Sequence, residues 1–280
     1  MIKVLNAGFY STIQDFGRMG YQKYGVPYSG VMDRKSAALA NALLGNGENE
    51  AVIEMTMTGA KLEFKTETYI AISGADMSPK LNNKPIKLNK IINVSTNDVL
   101  SFGKLYHGFR CYLAVLGGFN TETVMNSLSM YQNITKKAML YKNDDVLINK
   151  AANIQMDKHA SIRVDESFFS FESIEVTKGP EFDKLDSLQQ EKLFLQPFTI
   201  SKNNNRMAYQ LEEIIVNNID PIITSPVIPG TVQLTPSGKL IVLMRDCQTT
   251  GGYPRVLQLK ESAINILSQK FTGKNVCFKL

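Results

Sequence analysis

The stretch AVIEMTMTGAKLEFKTETYIAIS, residues 51–73, contains three short β-type runs in close succession. Val, Ile, Phe, Tyr and Thr recur in the runs at 51–57, 60–65 and 68–73, and glycine or polar residues separate them. Parallel α/β sheets need a helical crossover between successive strands, and none is indicated here. The pattern therefore favours closed or sandwiched β-structure.

Similar runs occur on both sides of this stretch. Strands are also predicted at 2–5, 99–103, 110–116, 146–149, 161–165, 174–178, 231–235, 239–244, 255–259 and 275–279. Asn82 and Asn83 are typical of a hairpin tip between two such runs. The sequence predicts a mainly β protein with a few short helices.

Three segments have features of helices instead. Residues 33–44 begin at the capping residue Asp33 and end before Gly45. Residues 183–194 also begin at an aspartate, and residues 261–270 have apolar residues at spacings of three and four. The buried face expected for the second helix consists of Leu185, Leu188 and Leu193.

Composition restricts the class of protein. The 280 residues are 44% hydrophobic and include 14 Phe and 11 Tyr, which excludes an intrinsically disordered chain. The three cysteines, Cys111, Cys247 and Cys277, are odd in number and far apart, so no disulfide framework or zinc knuckle is predicted. His107 and His159 are also distant in sequence, and no metal ligands are predicted.

Charge and hydropathy bear on partners and location. The net charge is +5, but the lysines alternate with Asp and Glu and form no basic block, so we expect no nucleic-acid partner. The N-terminus lacks the pattern of a signal peptide, and apolar stretches such as 111–119 are shorter than the roughly 20 residues that span a bilayer. We expect a cytoplasmic protein without membrane contact.

The common nucleotide-binding and nucleophile motifs are absent. The GK pairs at 103–104, 238–239 and 273–274 are followed by Leu, Leu and Asn, so the chain has no P-loop. It also lacks GxGxxG after a strand, a GxSxG elbow and a biotin attachment motif. Nucleotide chemistry would therefore require an unusual fold or a partner chain.

The glycine-rich stretch STIQDFGRMGYQKYGVPYSGVMD, residues 11–33, is the first candidate site. Its glycines allow backbone amides to approach a ligand, and its polar side chains offer donors and acceptors. The predicted site residues here are Gln14, Asp15, Arg18, Ser29, Gly30 and Asp33. A corner-turning loop is an equally open interpretation, and a helix cap accounts fully for Asp33.

The loop RDCQTTGGYPR, residues 245–255, is the second candidate site and follows the apolar strand LIVLM. Loops at strand ends commonly carry function because the strand positions them. The predicted site residues here are Arg245, Gln248, Thr249, Thr250 and Tyr253. For Cys247, an inert buried thiol is favoured over a nucleophile, since no histidine lies nearby in the sequence. We expect this loop and the 14–33 stretch to come together.

Arginine is used sparingly, with 7 Arg against 24 Lys. Its planar fork suits carboxylates and phosphates, so Arg206 is added to the predicted substrate-binding residues. The alternative is that these arginines anchor loops through salt bridges.

A third candidate site, SGAD at 73–76, is either a ligand-binding turn or a simple Asx-turn, and the Asx-turn is favoured.

These stretches carry a family resemblance. The blocks concerned are 11–33, ANALLGN at 40–46, IEMTMTGAKLEF at 53–64, ISGAD at 72–76, GFRCYLAVLGG at 108–118, KGP at 178–180, RMAYQL at 206–211 and LIVLMRDCQTTGGYPRV at 240–256. They resemble the allophanate hydrolase subunit 2 family, also called KipA. Residues 126–147 depart from the family pattern, because they lack its Gly-Ser-Arg-Ser-Thr segment and the glycines after it.

The resemblance implies two cyclophilin-like β-barrel units. We expect them at 1–168 and 169–280, and leave open an exchange of strands between them. Residues 150–173 lack sustained periodicity and are the best candidate for a linker.

The family includes the C subunit of the bacterial 5-oxoprolinase, which opens 5-oxo-L-proline to L-glutamate with ATP. The resemblance thus implies a small-molecule substrate, a partner of the KipI type (the B subunit of 5-oxoprolinase), the A subunit as a third chain, and ATP with Mg²⁺ at the level of the complex. Biotin is not expected on this chain, and a homo-oligomer of the heteromer is left open. Within this scheme Arg18, Asp33, Arg245 and Gln248 are predicted to be catalytic, and the other site residues to bind substrate.

Two other functions follow from the same resemblance. One is a carboxyltransferase half acting on urea or another amide with a separate biotinylated protein. The other is a KipA-type regulator that binds KipI and relieves the inhibition of a sensor kinase.

Overall fold

The computed structural model describes residues 1–149 and 166–280, which form two units. The first unit contains Met1–Gly17 and the described part of Ser29–Glu166, and the second contains Arg18–Tyr28 and Ser167–Leu280. The strand predicted at 161–165 and most of the predicted linker lie outside the described residues. The domain boundary expected between residues 168 and 169 stays a prediction.

The described part of the first unit consists mainly of short strands joined by turns. They are β1 (Ile2–Asn6), β2 (Tyr10–Gln14), β3 (Val52–Thr56), β4 (Lys61–Phe64), β5 (Thr68–Asp76), β6 (Lys80–Leu81), β7 (Lys84–Pro85), β8 (Ile91–Val94), β9 (Val99–Ser101), β10 (His107–Val115) and β11 (Asp145–Val146). A six-stranded sheet has the order β11-β1-β4-β9-β6-β7, and a five-stranded sheet has the order β2-β3-β10-β5-β8. Asn82 and Asn83 join β6 to antiparallel β7 with φ values of 50° and 64°, which confirms the predicted hairpin tip.

The main apolar core of the first unit is shared by its two sheets. Successive residues of β10 alternate between two environments, as the two-residue period of a strand requires. Cys111, Leu113 and Val115 belong to the core that both sheets contribute to. Tyr112 and Ala114 belong to a second cluster on the outer face of the five-stranded sheet. That outer face carries a helix.

Helix α1 (Arg34–Leu43) covers part of this outer face. It begins where predicted, because Asp33 Oδ1 accepts a hydrogen bond of 3.0 Å from Ser36 N and caps the helix. Ala37 and Ala40 are buried. Their small side chains allow the helix to lie close to the sheet.

The second unit is built around a closed barrel. Its strands are β12 (Ser173–Lys178), β13 (Phe198–Asn204), β14 (Ala208–Ile214), β15 (Ser225–Pro226), β16 (Thr231–Leu234), β17 (Lys239–Leu243), β18 (Thr250–Gly251), β19 (Arg255–Leu259) and β20 (Asn275–Lys279). The barrel has the order β12-β19-β16-β17-β14-β13-β20, and β15 pairs with β18 outside it. The predicted mainly β fold is confirmed, and the closed barrel is observed in this unit.

Two helices accompany the barrel, α2 (Ser187–Leu195) and α3 (Glu261–Ser268). Helix α2 begins later than its predicted start at Asp183, because the true cap is Asp186. Asp186 Oδ1 accepts from Gln189 N at 2.8 Å, and Asp186 N donates to Gln189 Oε1 at 2.7 Å. This reciprocal pair is a capping box.

The buried face predicted for α2 is partly wrong. Leu185 and Leu193 are buried, but Leu188 is 61% exposed. Leu188 and Leu193 are five positions apart, which separates them by about 140° around a helix, so one face cannot contain both.

Within the described residues, no helix combines the length and the apolar character that crossing a membrane requires.

Candidate functional site

Asp15 is held by the segment of the chain that departs from the family pattern. Its carboxylate accepts hydrogen bonds from Ser127 Oγ at 2.7 Å and from Ser129 Oγ at 2.6 Å. It also accepts from the backbone amides of Leu128 at 2.7 Å and Gly17 at 2.8 Å. The carboxylate is therefore saturated by protein groups. Its predicted role in substrate binding stays a prediction.

Gln14 connects the two ends of the glycine-rich stretch within the first unit. Gln14 Oε1 accepts from Gly30 N at 3.0 Å, and Gln14 Nε2 donates to Met130 O at 3.0 Å. Gly30 has a φ of 90°, and a Cβ atom there would lie 2.7 Å from the carbonyl carbon of Phe16, so glycine is required. Ser29 is fully buried, and its hydroxyl has no hydrogen-bond partner among the described residues.

Arg18 belongs to the second unit, unlike the other predicted residues of this stretch. Its side chain is fully buried. Its backbone N donates to Tyr28 O at 2.6 Å, and its carbonyl accepts from Gln22 Nε2 at 2.7 Å. Arg18 therefore shares a unit with the 245–255 loop. The meeting of the complete 14–33 stretch with that loop stays a prediction.

Two predicted arginines form ion pairs inside the second unit. Arg206 binds Asp246 through both ends of its fork, with Nε–Oδ2 at 2.8 Å and Nη2–Oδ1 at 3.0 Å. Arg245 binds Glu261 at the start of α3, where Nη1 lies 3.2 Å from Oε2 and Nη2 contacts Oε1. The salt-bridge alternative therefore holds at both positions. These pairs brace the 245–255 loop against the turn between β13 and β14 and against α3.

A third pair anchors the far end of the same loop. Arg255 donates to Glu181 from Nε at 3.0 Å and from Nη2 at 2.9 Å, and its backbone N adds a bond of 2.8 Å. The side-chain hydrogen bonds from Arg255 are the main reason why the pKa of Glu181 lies below its ordinary value. Glu181 is therefore held as a carboxylate.

A cleft of about 640 Å³ lies in the second unit beside this pair. Its lining includes Glu181, Lys184 and the segment 218–223. Ile222 N donates to Gly252 O at 3.0 Å, so the lining segment is attached directly to the 245–255 loop. The cleft and the loop are parts of one surface of this unit.

The polar residues of the 245–255 loop differ in their hydrogen bonding and in their exposure. Gln248 Oε1 is buried and has no hydrogen-bond partner among the described residues. Thr249 O accepts from Val227 N at 3.0 Å, Thr250 is exposed in β18, and Tyr253 is 40% exposed. Gln248 is therefore a predicted residue of this loop whose buried acceptor no described residue satisfies.

The thiol of Cys247 supports the inert interpretation. The residue is 1% exposed, and burial raises its pKa to about 12. The thiolate, which is the nucleophilic form, is thus scarce at neutral pH.

The SGAD segment, residues 73–76, is the end of β5, and its aspartate begins a turn. Asp76 Oδ1 accepts from Ser78 N at 2.7 Å, which confirms the predicted Asx-turn.

A buried polar group on the outer face of the five-stranded sheet was not predicted. Strand register places Thr12, Glu54 and Tyr112 in one row, and Thr56 and Arg110 in the next. All five are at most 5% exposed. We call them the polar sheet face. Glu54 in VIEMT and Arg110 in HGFRCYLAV are charged residues within otherwise apolar strands, and that sequence signal could have revealed them.

Glu54 lies at the centre of the polar sheet face. Its Oε2 accepts from Met32 N at 2.7 Å, and its Oε1 lies 3.8 Å from Arg110 Nε. Tyr112 Oη accepts from Asp33 N at 2.8 Å. The pKa of Tyr112 lies well above its ordinary value, mainly because the residue is buried. The charges of Glu54 and Asp33 raise it further. Asp33 thus caps α1 and contacts Tyr112, and its predicted catalytic role stays a prediction.

Comparison with known proteins agrees with this architecture. Residues 24–280 match the family model described as the carboxyltransferase domain, subdomains A and B. The chain is 31% identical to the C subunit of 5-oxoprolinase from Escherichia coli (strain K12) over 284 residues, which covers 99% of this chain and 90% of that protein.

Two solved structures share the fold. Urea amidolyase of K. lactis superposes with a TM-score of 0.88 and 26% identity, covering 99% of this chain and 18% of that one. The protein TTHA0988 superposes with a TM-score of 0.88 and 23% identity, covering 100% of this chain and 55% of that one. The chain thus spans about half of one structure and a fifth of the other. The family match and the full-length relative together show that the chain belongs to the carboxyltransferase domain family, subdomains A and B.

Proposed function

We propose that the chain is the C subunit of a multi-component 5-oxoprolinase, which opens 5-oxo-L-proline to L-glutamate at the expense of ATP. The observation that supports this assignment is the 31% identity with a protein named as the C subunit of 5-oxoprolinase. The similarity covers 90% of that relative, so it extends over nearly the whole protein rather than one motif. The proposal places the complex in the cytoplasm, with the A and B subunits as partners.

The chemistry of the lactam explains why ATP is needed. Resonance stabilises the ring amide, so water attacks it slowly unless the carbonyl is activated, most simply by phosphorylation of its oxygen. Stabilising such a transfer requires cations and amides directed at phosphate oxygens. We assign ATP and Mg²⁺ to other parts of the complex, because Arg206, Arg245 and Arg255 already bind carboxylates of this chain.

The residues available for substrate are those with polar atoms left over. Gln248 Oε1 in the 245–255 loop and the Ser29 hydroxyl in the glycine-rich stretch are buried without hydrogen-bond partners among the described residues. Unsatisfied buried groups cost about 1–3 kcal/mol each, so they are retained most readily where a ligand or water satisfies them. Within the predicted catalytic set, this reasoning applies to Gln248 and also to Nε of Arg245, which has no hydrogen-bond partner among the described residues.

A second candidate function has a specific observation in its favour. The superposition on urea amidolyase, with a TM-score of 0.88 over 99% of this chain, favours a carboxyltransferase that acts on urea or another amide. That reaction needs a separate biotinylated protein. The two candidates share a planar amide as the reacting group.

Reconstitution tests the proposal. The chain is combined with the products of its neighbouring genes, and glutamate formed from 5-oxo-L-proline is measured with and without ATP. We expect ATP-dependent glutamate formation with the full set and a loss of at least tenfold when this chain is omitted. An unchanged rate without the chain would contradict the proposal. Carboxylation of urea with no glutamate would favour the second function.

A further inference from the structure

The segment 214–228 of the second unit, which we call the apolar segment, exposes several apolar side chains. Eight of its 15 residues are Ile or Val. Four of these eight are about half exposed or more, namely Ile214, Val216, Ile223 and Ile228. Ile223 is 93% exposed, the largest value among the exposed apolar residues of the described chain. Single apolar residues on a surface are ordinary, but several in one short segment are typical of an interaction site.

The apolar segment lines the cleft beside the Glu181–Arg255 pair. The three isoleucines within 219–223 are among the residues that surround its volume of about 640 Å³. Arg255 already binds the carboxylate of Glu181 through two nitrogens. The other charged residues of the lining, Lys184 and Asp220, are exposed and opposite in sign. The cleft therefore offers an apolar wall without a net charge directed at a small ion.

One edge of the apolar segment is paired, and the other is open. Ile222 N donates to Gly252 O and Val227 N donates to Thr249 O, each at 3.0 Å. Between these bonds β15 pairs with β18, and the two form a sheet of only two strands within the described residues. The backbone amide of Ile223 donates to no described residue. A strand with a free edge is a template to which another extended chain can add.

These features select the kind of partner. An extended polypeptide has carbonyl groups that accept from the free edge and side chains that cover the isoleucines. A small polar ligand would leave the isoleucines in water, and a helix has no backbone carbonyls left to pair with a strand. In TTHA0988 and in the K. lactis urea amidolyase, this fold is joined to further polypeptide.

We propose that the apolar segment docks an extended segment of a partner subunit. The partner adds as a strand along the free edge of β15 and packs apolar side chains against Ile223. The identity of the partner rests on the proposed function, in which this chain is one subunit of a complex.

Docking here places the partner beside the 245–255 loop. Thr249 and Gly252 of that loop are the groups that bind the apolar segment. The residue before Thr249 is Gln248, whose buried acceptor no described residue satisfies. A partner bound to the apolar segment therefore lies next to the loop that contains predicted site residues.

Variants at Ile223 separate docking from folding. Ile223→Lys introduces a charge where the partner buries an apolar side chain, and Ile223→Ala removes the side chain without adding a charge. Because this side chain is 93% exposed, we expect neither variant to change the Tm. Leu195→Lys is the matched control, since Leu195 is 75% exposed in the same unit and lies at the end of α2, where a cation is favourable.

The experiment measures the affinity of the full chain for the A subunit, the B subunit and their mixture by calorimetry. We expect the wild-type chain to bind, Ile223→Lys to raise the Kd about tenfold or more, and Ile223→Ala to raise it less, as for a buried interface anchor. The control should match the wild type. A photoreactive benzoylphenylalanine in place of Ile223 should cross-link to a partner subunit, and the same group in place of Leu195 should not.

Four outcomes would overturn the proposal: no binding to either partner subunit, wild-type affinity in both Ile223 variants, an equal loss in the control, or a cross-link only to a second copy of this chain. Glutamate formation by a complex that Ile223→Lys leaves intact would support the proposed function and reject the docking site. Partner binding that Ile223→Lys weakens, in a complex that forms no glutamate from 5-oxo-L-proline, would support the docking site and contradict the proposed function.

Discussion

At the residue scale, satisfied and unsatisfied polar groups lie close together in sequence and differ in what they can do. Asp15 accepts from two serine hydroxyls and two backbone amides, whereas the neighbouring strand residue Thr12 has a hydroxyl without a partner among the described residues. In the 245–255 loop, Arg245 pairs with Glu261, while Gln248 retains an acceptor that no described residue satisfies. Residue type alone does not show which polar groups are satisfied, whereas the hydrogen-bond partners of each group do.

The cysteines provide a prediction at this scale. Cys111 and Cys247 are buried, whereas Cys277 is half-buried. Burial raises the pKa of Cys247 to about 12 and that of Cys111 further. Since the thiolate is the reactive form, we expect iodoacetamide at pH 8 to modify Cys277 first and to leave the other two intact in the native protein.

Peptide mass spectrometry checks this expectation, with protein unfolded in urea as the control in which all three thiols react. The rate at Cys247 should continue to rise with pH up to about pH 12 and not level off near pH 9, because a raised pKa shifts thiolate formation to higher pH. Rapid modification of Cys247 in the native protein at pH 8 would show that the thiol is activated.

At the scale of single elements, the termini of helices are governed by local side-chain chemistry. Asp33 begins α1 as a cap, and Asp186 with Gln189 begins α2 as a capping box. In the sequence, Asp183 is an equally suitable N-cap for this helix, yet it lies in a short 3-10 turn and is exposed. The difference arises because Gln189 is placed three residues after Asp186 and can return the hydrogen bond.

This difference can be measured with two single variants. Asp186→Ala removes the acceptor for Gln189 N, and we expect it to lower the free energy of unfolding by about 1 kcal/mol. Asp183→Ala is the matched control, because it removes an exposed carboxylate without a capping bond, and it should change the free energy by less than about 0.5 kcal/mol. Urea denaturation provides both values. Equal losses would mean that the capping box does not stabilise α2.

At the scale of the whole molecule, the chain has two β units and the fold of longer relatives. It covers 55% of TTHA0988 and 18% of the K. lactis urea amidolyase, so in both structures this fold is joined to further polypeptide. The chain has no P-loop, and Arg206, Arg245 and Arg255 bind its own carboxylates. These features are consistent with the role proposed above, in which the chain is one subunit of a complex.

We therefore expect the isolated chain to release no phosphate from ATP in response to 5-oxo-L-proline. Addition of its partner subunits should produce that response, because the phosphate-binding groups are assigned to them. Phosphate release measured for the chain alone, for the partners alone and for the mixture distinguishes the cases. Substrate-dependent ATP hydrolysis by the chain alone would contradict this division of roles.

Elements that depend on neighbouring residues were predictable. The strands within 51–73, the hairpin tip at Asn82 and Asn83, and the cap at Asp33 follow from β propensity, positive φ and a short side-chain acceptor. Strands β13 and β14 were missed because polar residues occur throughout FTISKNN and AYQLEEI, and only closure of the barrel gives them partners on both sides.

The candidate site depended on contacts between distant parts of the chain. Asp15 meets Ser127 and Ser129 at separations of 112 and 114 residues, and Arg255 meets Glu181 at a separation of 74 residues. The polar sheet face likewise forms from three strands whose register brings its rows together. Composition and local spacing carry no information about register, because a shift of one residue in pairing reverses which side chains share a face. For that reason the sequence indicated which loops were rich in polar groups, and the folded sheets determined which of those groups remain available.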